Sequence, residues 1–273
     1  MTTAVIIPPE QKNRKRTIEE LLQSVSASRL STWQQCRLKF WFRYISPIHK
    51  PKTPALIVGS SVHETLKFWN MARWRNESPT LKQLHDVFST AWGGEQQSGE
   101  SVNWDGEEQD QKATGWRLLE TYFRESPIKA DEKPEGVEVS VEAHLGCHGL
   151  PTLVGIIDLV RPPGRIVDFK TSGKCPDPEK AAHLHDTQTT GYAVLYREAT
   201  GKKESGIELH HLVKTKQPKL VVTAFDAASD IQITRLFRVI ESYVHSLERQ
   251  DWIPAPGMQC AACEFFNECR LHC

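Results

Sequence analysis

TLVGIIDLVRPPGRIVDFKT, residues 152–171, is the stretch whose reading decides the fold. Apolar, β-branched runs flank the turn signal Pro162-Pro163-Gly164, so residues 152–160 and 165–171 read as two antiparallel strands joined by a three-residue loop. A loop of that length sets Arg161 against Arg165. Counting inward from that pair, Asp158 falls opposite Asp168. Successive strand residues point to opposite faces, so Asp168 and Lys170 share one face while Val167 and Phe169 take the other. Opposed residues hold their Cβ atoms about 5 Å apart. The hairpin therefore gathers two carboxylates and one ammonium on a single face.

Two like charges that close repel unless something neutralises them. A divalent cation does so, and Mg²⁺ or Mn²⁺ prefers oxygen ligands and retains waters. Lys170 stands near enough to orient or deprotonate one such water, which is the machinery of phosphodiester hydrolysis. The plainer alternative is a pair of strand-end carboxylates balanced by Lys170 and Arg161.

Downstream of the hairpin, the pattern predicts a helix over 187–199, strands over about 206–214 and 219–225, and an amphipathic helix from Ser229 to about Gln250. Upstream, Val137, Val139, Val141, Ala143 and Leu145 alternate with polar residues as a strand. Before it come four helices: one opening at Ser28, one following Gly59 and carrying His63, one over 80–92 and one over 111–124. Pro47, Pro51 and Pro54 separate the first two, and Gly93 to Asp110 reads as a loop. Residues 1–25, with Pro8-Pro9 and the run Lys12-Asn13-Arg14-Lys15-Arg16, read as a flexible basic arm. Residues 64–130 read as a helical insertion covering the site. Its Trp69, Trp74, Trp92, Trp104 and Trp116 would either pack a core or stack bases. The expected class is α/β: a central mixed sheet flanked by helices.

Composition narrows the function. The 273 residues carry 34 Lys+Arg and 34 Asp+Glu, so a generic polyanion binder is disfavoured and a local basic groove is not. Eight Trp and ten Phe exclude disorder by composition. No apolar run approaches the ~18 residues of a membrane helix. The basic cluster follows the short N-terminal apolar stretch instead of preceding it, so a cytoplasmic protein is expected. No GxxxxGK[ST] loop is present, so any motor would have to be a partner.

Of seven cysteines, Cys260, Cys263, Cys269 and Cys273 crowd the last fourteen residues. Cys260-Ala-Ala-Cys263 with Cys269 makes C-x2-C-x5-C. A zinc ribbon needs a second CxxC pair, and none is present. A fourth ligand would be Cys36, Cys273 or His272, or there is none.

Together these features resemble the PD-(D/E)XK nuclease superfamily, and its RecB-like branch in particular. Asp168-Phe169-Lys170 is similar to the (D/E)xK element and Gly155-Ile156-Ile157-Asp158 to the Asp element before it. Gly59-Ser60-Ser61-Val62-His63 resembles the upstream helix that supplies a metal-binding His, and Gln188-Thr189-Thr190-Gly191-Tyr192 the QxxxY motif. The resemblance implies a restriction-endonuclease-like sheet and a metal-dependent DNA exonuclease acting on single strands or ends. His63, Asp158, Asp168 and the Phe169 carbonyl would bind Mg²⁺ or Mn²⁺, Lys170 would handle water, and Gln188 and Tyr192 would support the site or touch DNA. Glu142, on the preceding strand, would add a further contact. The AddB-type and CRISPR-associated relatives carry a [4Fe–4S] cluster. The stretch Ser28 to Cys36 followed by Arg37-Leu38-Lys39-Phe40 resembles their N-terminal part. That implies a cluster on Cys36, Cys260, Cys263 and Cys269 and a cap over 252–273, all within one domain, 26–273. The alternatives are a CRISPR-associated nuclease working beside an integrase, and a non-catalytic end-binding subunit of a helicase–nuclease complex. A zinc-stapled hydrolase is the reading without the family.

Overall fold

The computed structural model describes residues 15–97 and 102–272. Along the chain lie α1 (Ile18–Gln23), β1 (Ser24–Ser26), α2 (Ala27–Gln35), α3 (Arg37–Tyr44), α4 (Pro54–Trp74), α5 (Leu81–Gln97) and α6 (Glu108–Glu125). They are followed by β2 (Gly136–Ala143), β3 (Thr152–Arg161), β4 (Arg165–Ser172), α7 (Pro178–Leu184) and α8 (Asp186–Thr200). The chain closes with β5 (Gly206–Val213), β6 (Lys219–Phe225), α9 (Asp230–Glu248) and α10 (Phe266–Leu271). No helix among the described residues is long and apolar enough to cross a membrane.

The three-residue hairpin forms as its turn chemistry requires, with Arg161 opposite Arg165 and Gly164 at φ +70°. Around it the strands form one mixed sheet. β2 runs antiparallel along one edge of β3, from Gly136–Val160 to Ala143–Leu153. The other edge of β3 is shared. β4 takes the hairpin end, Leu159 to Arg161, and β1 pairs in parallel with the far end, Thr152 to Val154. Beyond β4, β5 lies parallel and β6 antiparallel.

Several boundaries differ from those read in the sequence. Residues 1–14 lie outside the described residues, but 18–25 are no arm. Thr17 and Glu20 close a capping box on α1, and Leu21 and Val25 are fully buried. The basic run beside them masked this apolar spacing. Ser26, not Ser28, caps α2. Pro54 does not break α4 but opens it behind Thr53, where the missing N–H would find no helical partner anyway. α5 runs on through Gly93-Gly94 to Gln97, and α6 begins at Glu108, which shortens the expected loop from both ends. α7, which was not anticipated, is capped by Asp177 with Pro178 behind it.

Segment 64–130 supplies half of the buried cluster on one sheet face among the described residues. Ile57, Val58, Val62 and Leu66 of α4, Phe88 and Trp92 of α5, and Leu118, Leu119 and Tyr122 of α6 bury one sheet face with Leu159, Val167, Phe169 and Leu212. The opposite face packs on α1, α2, α8 and α9. Core packing also claims most of the tryptophans. Trp92 is buried and stacks on Trp104 at 5.3 Å, and Trp69 and Trp116 pack on the same cluster. Trp74 is the one left open, at 45% exposure, with Lys133 over its ring.

A polar chain docks α6 onto the sheet. Tyr122 Oη lies 3.1 Å from His210 Nδ1, and His210 Nε2 lies 3.0 Å from Glu208. Arg161 donates to Glu208 at 2.9 Å and forks onto Glu132 at 2.7 and 2.9 Å. His210 is fully buried, so removing one partner strands a polar atom. Tyr122→Phe is expected to lower stability by ~1–2 kcal/mol in urea unfolding. A wild-type midpoint would show that the chain contributes nothing to docking.

Candidate active site

The two strands of the hairpin part at Asp158. Their ladder stops at Leu159–Val167, one step before the aspartates. There β3 also changes face: Ile157 packs in the α8-side core, whereas Leu159 packs in the α4-side core. β2 follows, with Val139 and Val137 on opposite sides and Glu138 between them at φ +49°. A non-glycine residue rarely takes that conformation, and such strain concentrates near functional sites. In place of a further ladder bond, the Phe169 N–H donates to Asp158 Oδ2 at 3.0 Å. The split leaves a notch in the sheet, and the carboxylates sit at it.

Asp168 is 2% exposed and lies at the centre of the site. Its Oδ1 accepts hydrogen bonds from Gln188 Nε2 at 3.0 Å and Tyr192 Oη at 3.1 Å, and Gln188 also donates to Tyr192 at 2.9 Å. Gln188 and Tyr192 occupy one face of α8, four residues apart. α8 reaches Asp168 because β3 carries Gly155, where a Cβ would stand 2.6 Å from Leu195 Cδ1. Lys170 Nζ is 2.8 Å from Asp168 Oδ2, an ion pair off the line of a hydrogen bond, so this buried oxygen keeps an acceptor position open. His63 comes from α4, and its Nδ1 is 3.7 Å from Asp158 Oδ2. Hard oxygen donors with an open position suit Mg²⁺ or Mn²⁺. Among the described residues, no three or more His, Cys, Asp or Glu side chains already converge as a metal cage. Glu142 does not join the site. It is exposed and pairs with Val154, about 13 Å along the strand from Asp158.

Burial raises the Asp158 carboxyl to about 6, with the neighbouring Asp168 adding to the shift. Burial likewise holds the Tyr192 hydroxyl well above its ordinary range, with Asp168 reinforcing it, so Tyr192 stays a neutral donor. For Asp158 the sign follows directly. The folded state holds the proton more tightly than the unfolded chain. The stabilisation from this group is therefore complete below the ordinary aspartate range and is lost as pH rises through about 6. At pH ~7.5 without divalent metal, Asp158→Asn is expected to stabilise the fold by ~1–2 kcal/mol, and the gain should vanish near pH ~4. Melting curves at the two pH values check this; an equal effect at both would contradict it.

Two further side chains crowd the site without having been singled out in the sequence. His211 of β5 pairs in register with Lys170, and His185 sits at the N-cap position of α8 without a side-chain capping bond. Their rings are 5.8 Å apart. Burial lowers both imidazoles below their usual range. Lys170 adds to this at both, and the His185–His211 pairing adds to it at His211. No spacing rule reveals them, because the parallel β4–β5 register is a tertiary feature.

Across the molecule, Cys36, Cys260, Cys263 and Cys269 line a single cavity of about 290 Å³ with Phe42, Phe265 and Phe266. All four thiols are free. The N–H groups of Lys39 and Ala255 point at Cys36 Sγ (3.4 and 3.5 Å), and that of Gly257 at Cys260 Sγ (3.4 Å). Burial raises the Cys269 thiol, with Cys36, Cys263 and Cys260 adding to the shift. His272 packs against Trp41 and Phe42. Cys273 lies outside the described residues. The Cys147 and Cys175 thiols are exposed.

The parted hairpin, Lys170 and the Gln188–Tyr192 face of α8 meet around the Asp168 carboxylate. Residues 24–270 match the model of the PD-(D/E)XK nuclease superfamily, and the chain belongs to it. Among solved structures it is similar to a "putative exonuclease" from Eubacterium rectale. The TM-score is 0.61 at 13% identity, over 98% of this chain and 94% of that one. That likeness shows a shared fold. A second structure, of SSO0001, aligns with a TM-score of 0.42 at 13% identity over 94% and 91% of the two chains. No curated protein matches the chain.

Proposed function

We propose that this chain is a divalent-metal-dependent deoxyribonuclease of the RecB-like branch, hydrolysing phosphodiester bonds as an exonuclease on single-stranded DNA or DNA ends. One observation carries the reading. Gln188, Tyr192 and Lys170, from two separate motifs, all contact the carboxylate of Asp168. Structural charge balance alone requires no such focus.

In this reading Asp158, Asp168, His63 and the Phe169 carbonyl hold Mg²⁺ or Mn²⁺. The metal would polarise the phosphate and lower the pKa of the attacking water. The protein's own part is positioning. Gln188 and Tyr192 fix the rotamer of Asp168 by occupying Oδ1, which turns Oδ2 toward the notch. Lys170 orients the attacking water through Nζ and holds positive charge beside the phosphate. The Phe169 N–H locks Asp158 at the strand split.

The reading extends to a [4Fe–4S] cluster on Cys36, Cys260, Cys263 and Cys269, stapling a cap over 252–273 onto the 26–273 domain. The shared cavity and the backbone N–H groups aimed at sulfur support it. A single ion draws its ligands to one point, whereas a cubane spreads them over its corners. Iron content separates a cluster from a single zinc ion. Unpaired thiols at Cys147 and Cys175 support a cytoplasmic location.

The test is digestion of end-labelled linear single- and double-stranded DNA, and of closed circles, by protein purified without oxygen, with Mg²⁺ or Mn²⁺. Metal-dependent cutting of linear DNA alone is the expected result. Cutting of closed circles would overturn the exonuclease assignment. Binding to ends without cutting would point to the non-catalytic subunit.

A further inference from the structure

We propose that His185 and His211 form a phosphate subsite that grips one of the two phosphodiesters flanking the scissile one. This deepens the nuclease reading and rests on it. β5 runs parallel to β4, and the Lys170–His211 pair places both side chains on one sheet face. His211 is 4% exposed, yet its Nδ1 is sealed from solvent with no aligned hydrogen bond, the Leu209 backbone being the polar group beside the ring. A buried ring nitrogen without a partner is unfavourable, and native structures rarely keep one without a use.

His185 stands 5.8 Å from it, ring to ring, at the start of α8. That helix has 15 residues and follows α7 directly, with His185 at the junction. A helix N-terminus carries partial positive charge and suits phosphate. The acidic residue at this end does not cancel it. Asp186 is turned away onto α9, accepting from Gln232 at 2.9 Å and pairing with Arg235 at 3.1 Å. Two imidazoles, the start of α8 and the Lys170 ammonium therefore lie together beside Asp168. This is an anion's environment, and the anion must lie close to the reacting phosphate because Lys170 borders both. A nucleic-acid strand supplies such an anion one linkage away.

The test uses single-stranded oligonucleotides in which each phosphate near the cut is replaced in turn by an uncharged methylphosphonate. Wild type is expected to show KM raised roughly tenfold, with kcat held within about twofold, at one flanking position. His185→Ala and His211→Gln should each raise KM about tenfold on unmodified DNA, and should lose the sensitivity to that methylphosphonate. Melting curves confirm folding, and His185, half-buried at the surface, serves if His211→Gln does not fold. Variants with wild-type KM, or variants that stay sensitive to the same substitution, overturn the subsite. A fall in kcat at constant KM also overturns it, since that places the imidazoles in the chemical step. If wild type cuts nothing, the nuclease reading fails separately. The subsite is then judged by metal-free equilibrium binding of the same oligonucleotides, where an unchanged affinity for the methylphosphonate series overturns it.

Discussion

Asp168→Asn is expected to abolish DNA cleavage, by at least ~10³-fold, in a protein that still folds. Asp168 is the carboxylate on which the other side chains of the site converge. Its Oδ1 is held by Gln188 and Tyr192, and its Oδ2 faces Lys170 at 2.8 Å. An amide keeps the shape but removes the charge that would hold a divalent cation, and it turns one acceptor into a donor facing an ammonium. The hydrogen bonds at Oδ1 survive, so the core around α8 should stand. Lys170→Ala should fall nearly as far, because it removes the ammonium beside the attacked phosphate. Gln188→Ala and Tyr192→Phe loosen the aspartate without removing it and should cost ~10–100-fold, the range typical of groups that orient ligands. The check is the initial rate of end-label release, with a melting curve for each variant. Cleavage retained in Asp168→Asn would move the chemistry away from this hairpin altogether.

The second large effect is on the cysteine cap. Cys36→Ser or Cys263→Ser is expected to strip bound iron and to destabilise the protein strongly. In the chain-entropy model, joining Cys36 to Cys260 closes a loop of roughly 220 residues, and such a link is worth about 5 kcal/mol at most. Without it, the cap and the residue before it are held to α3 and the segment after it by the stacked Phe42–Phe265 pair and the Arg37–Asp251, Arg43–Glu264 and Lys50–Glu268 ion pairs. Half-exposed ion pairs contribute little. Iron and acid-labile sulfide assays on anaerobic protein, with a melting curve, measure both effects. Zinc in place of iron, or iron unchanged in both variants, would refute the cluster. A Cys147→Ser control should leave metal content and stability at wild-type values, since that thiol is exposed and far from the others in sequence.

Much of the hairpin was legible because its information is local. Turn length sets register, so Arg161–Arg165 and the pairs as far as Leu159–Val167 follow from Pro162-Pro163-Gly164, whereas the parting of the strands at the aspartates does not. The four-residue spacing of Gln188 and Tyr192 was equally readable, since it needs only a helix. Residues 18–25 were misread because a basic run outweighed a short apolar pattern, and Pro54 because a proline opens a helix as readily as it ends one. The tryptophans of 64–130 carried no local sign of which way they face; most turned inward because α4, α5 and α6 must bury a common stripe against the sheet.

By itself the sequence determined the α/β class, the Arg161–Arg165 register of the hairpin, the pairing of Gln188 with Tyr192 and the spacing of the last three cap cysteines. All of these depend on neighbours within a turn, a strand or a helix. Only the tertiary structure decided that the sheet splits at Asp158, that α8 descends onto Asp168 over Gly155, that His211 stands beside Lys170, and that Cys36 shares a cavity with cysteines more than two hundred residues away. Those contacts form when separate elements dock. Docking is governed by how whole faces fill space together, which no short window of sequence encodes.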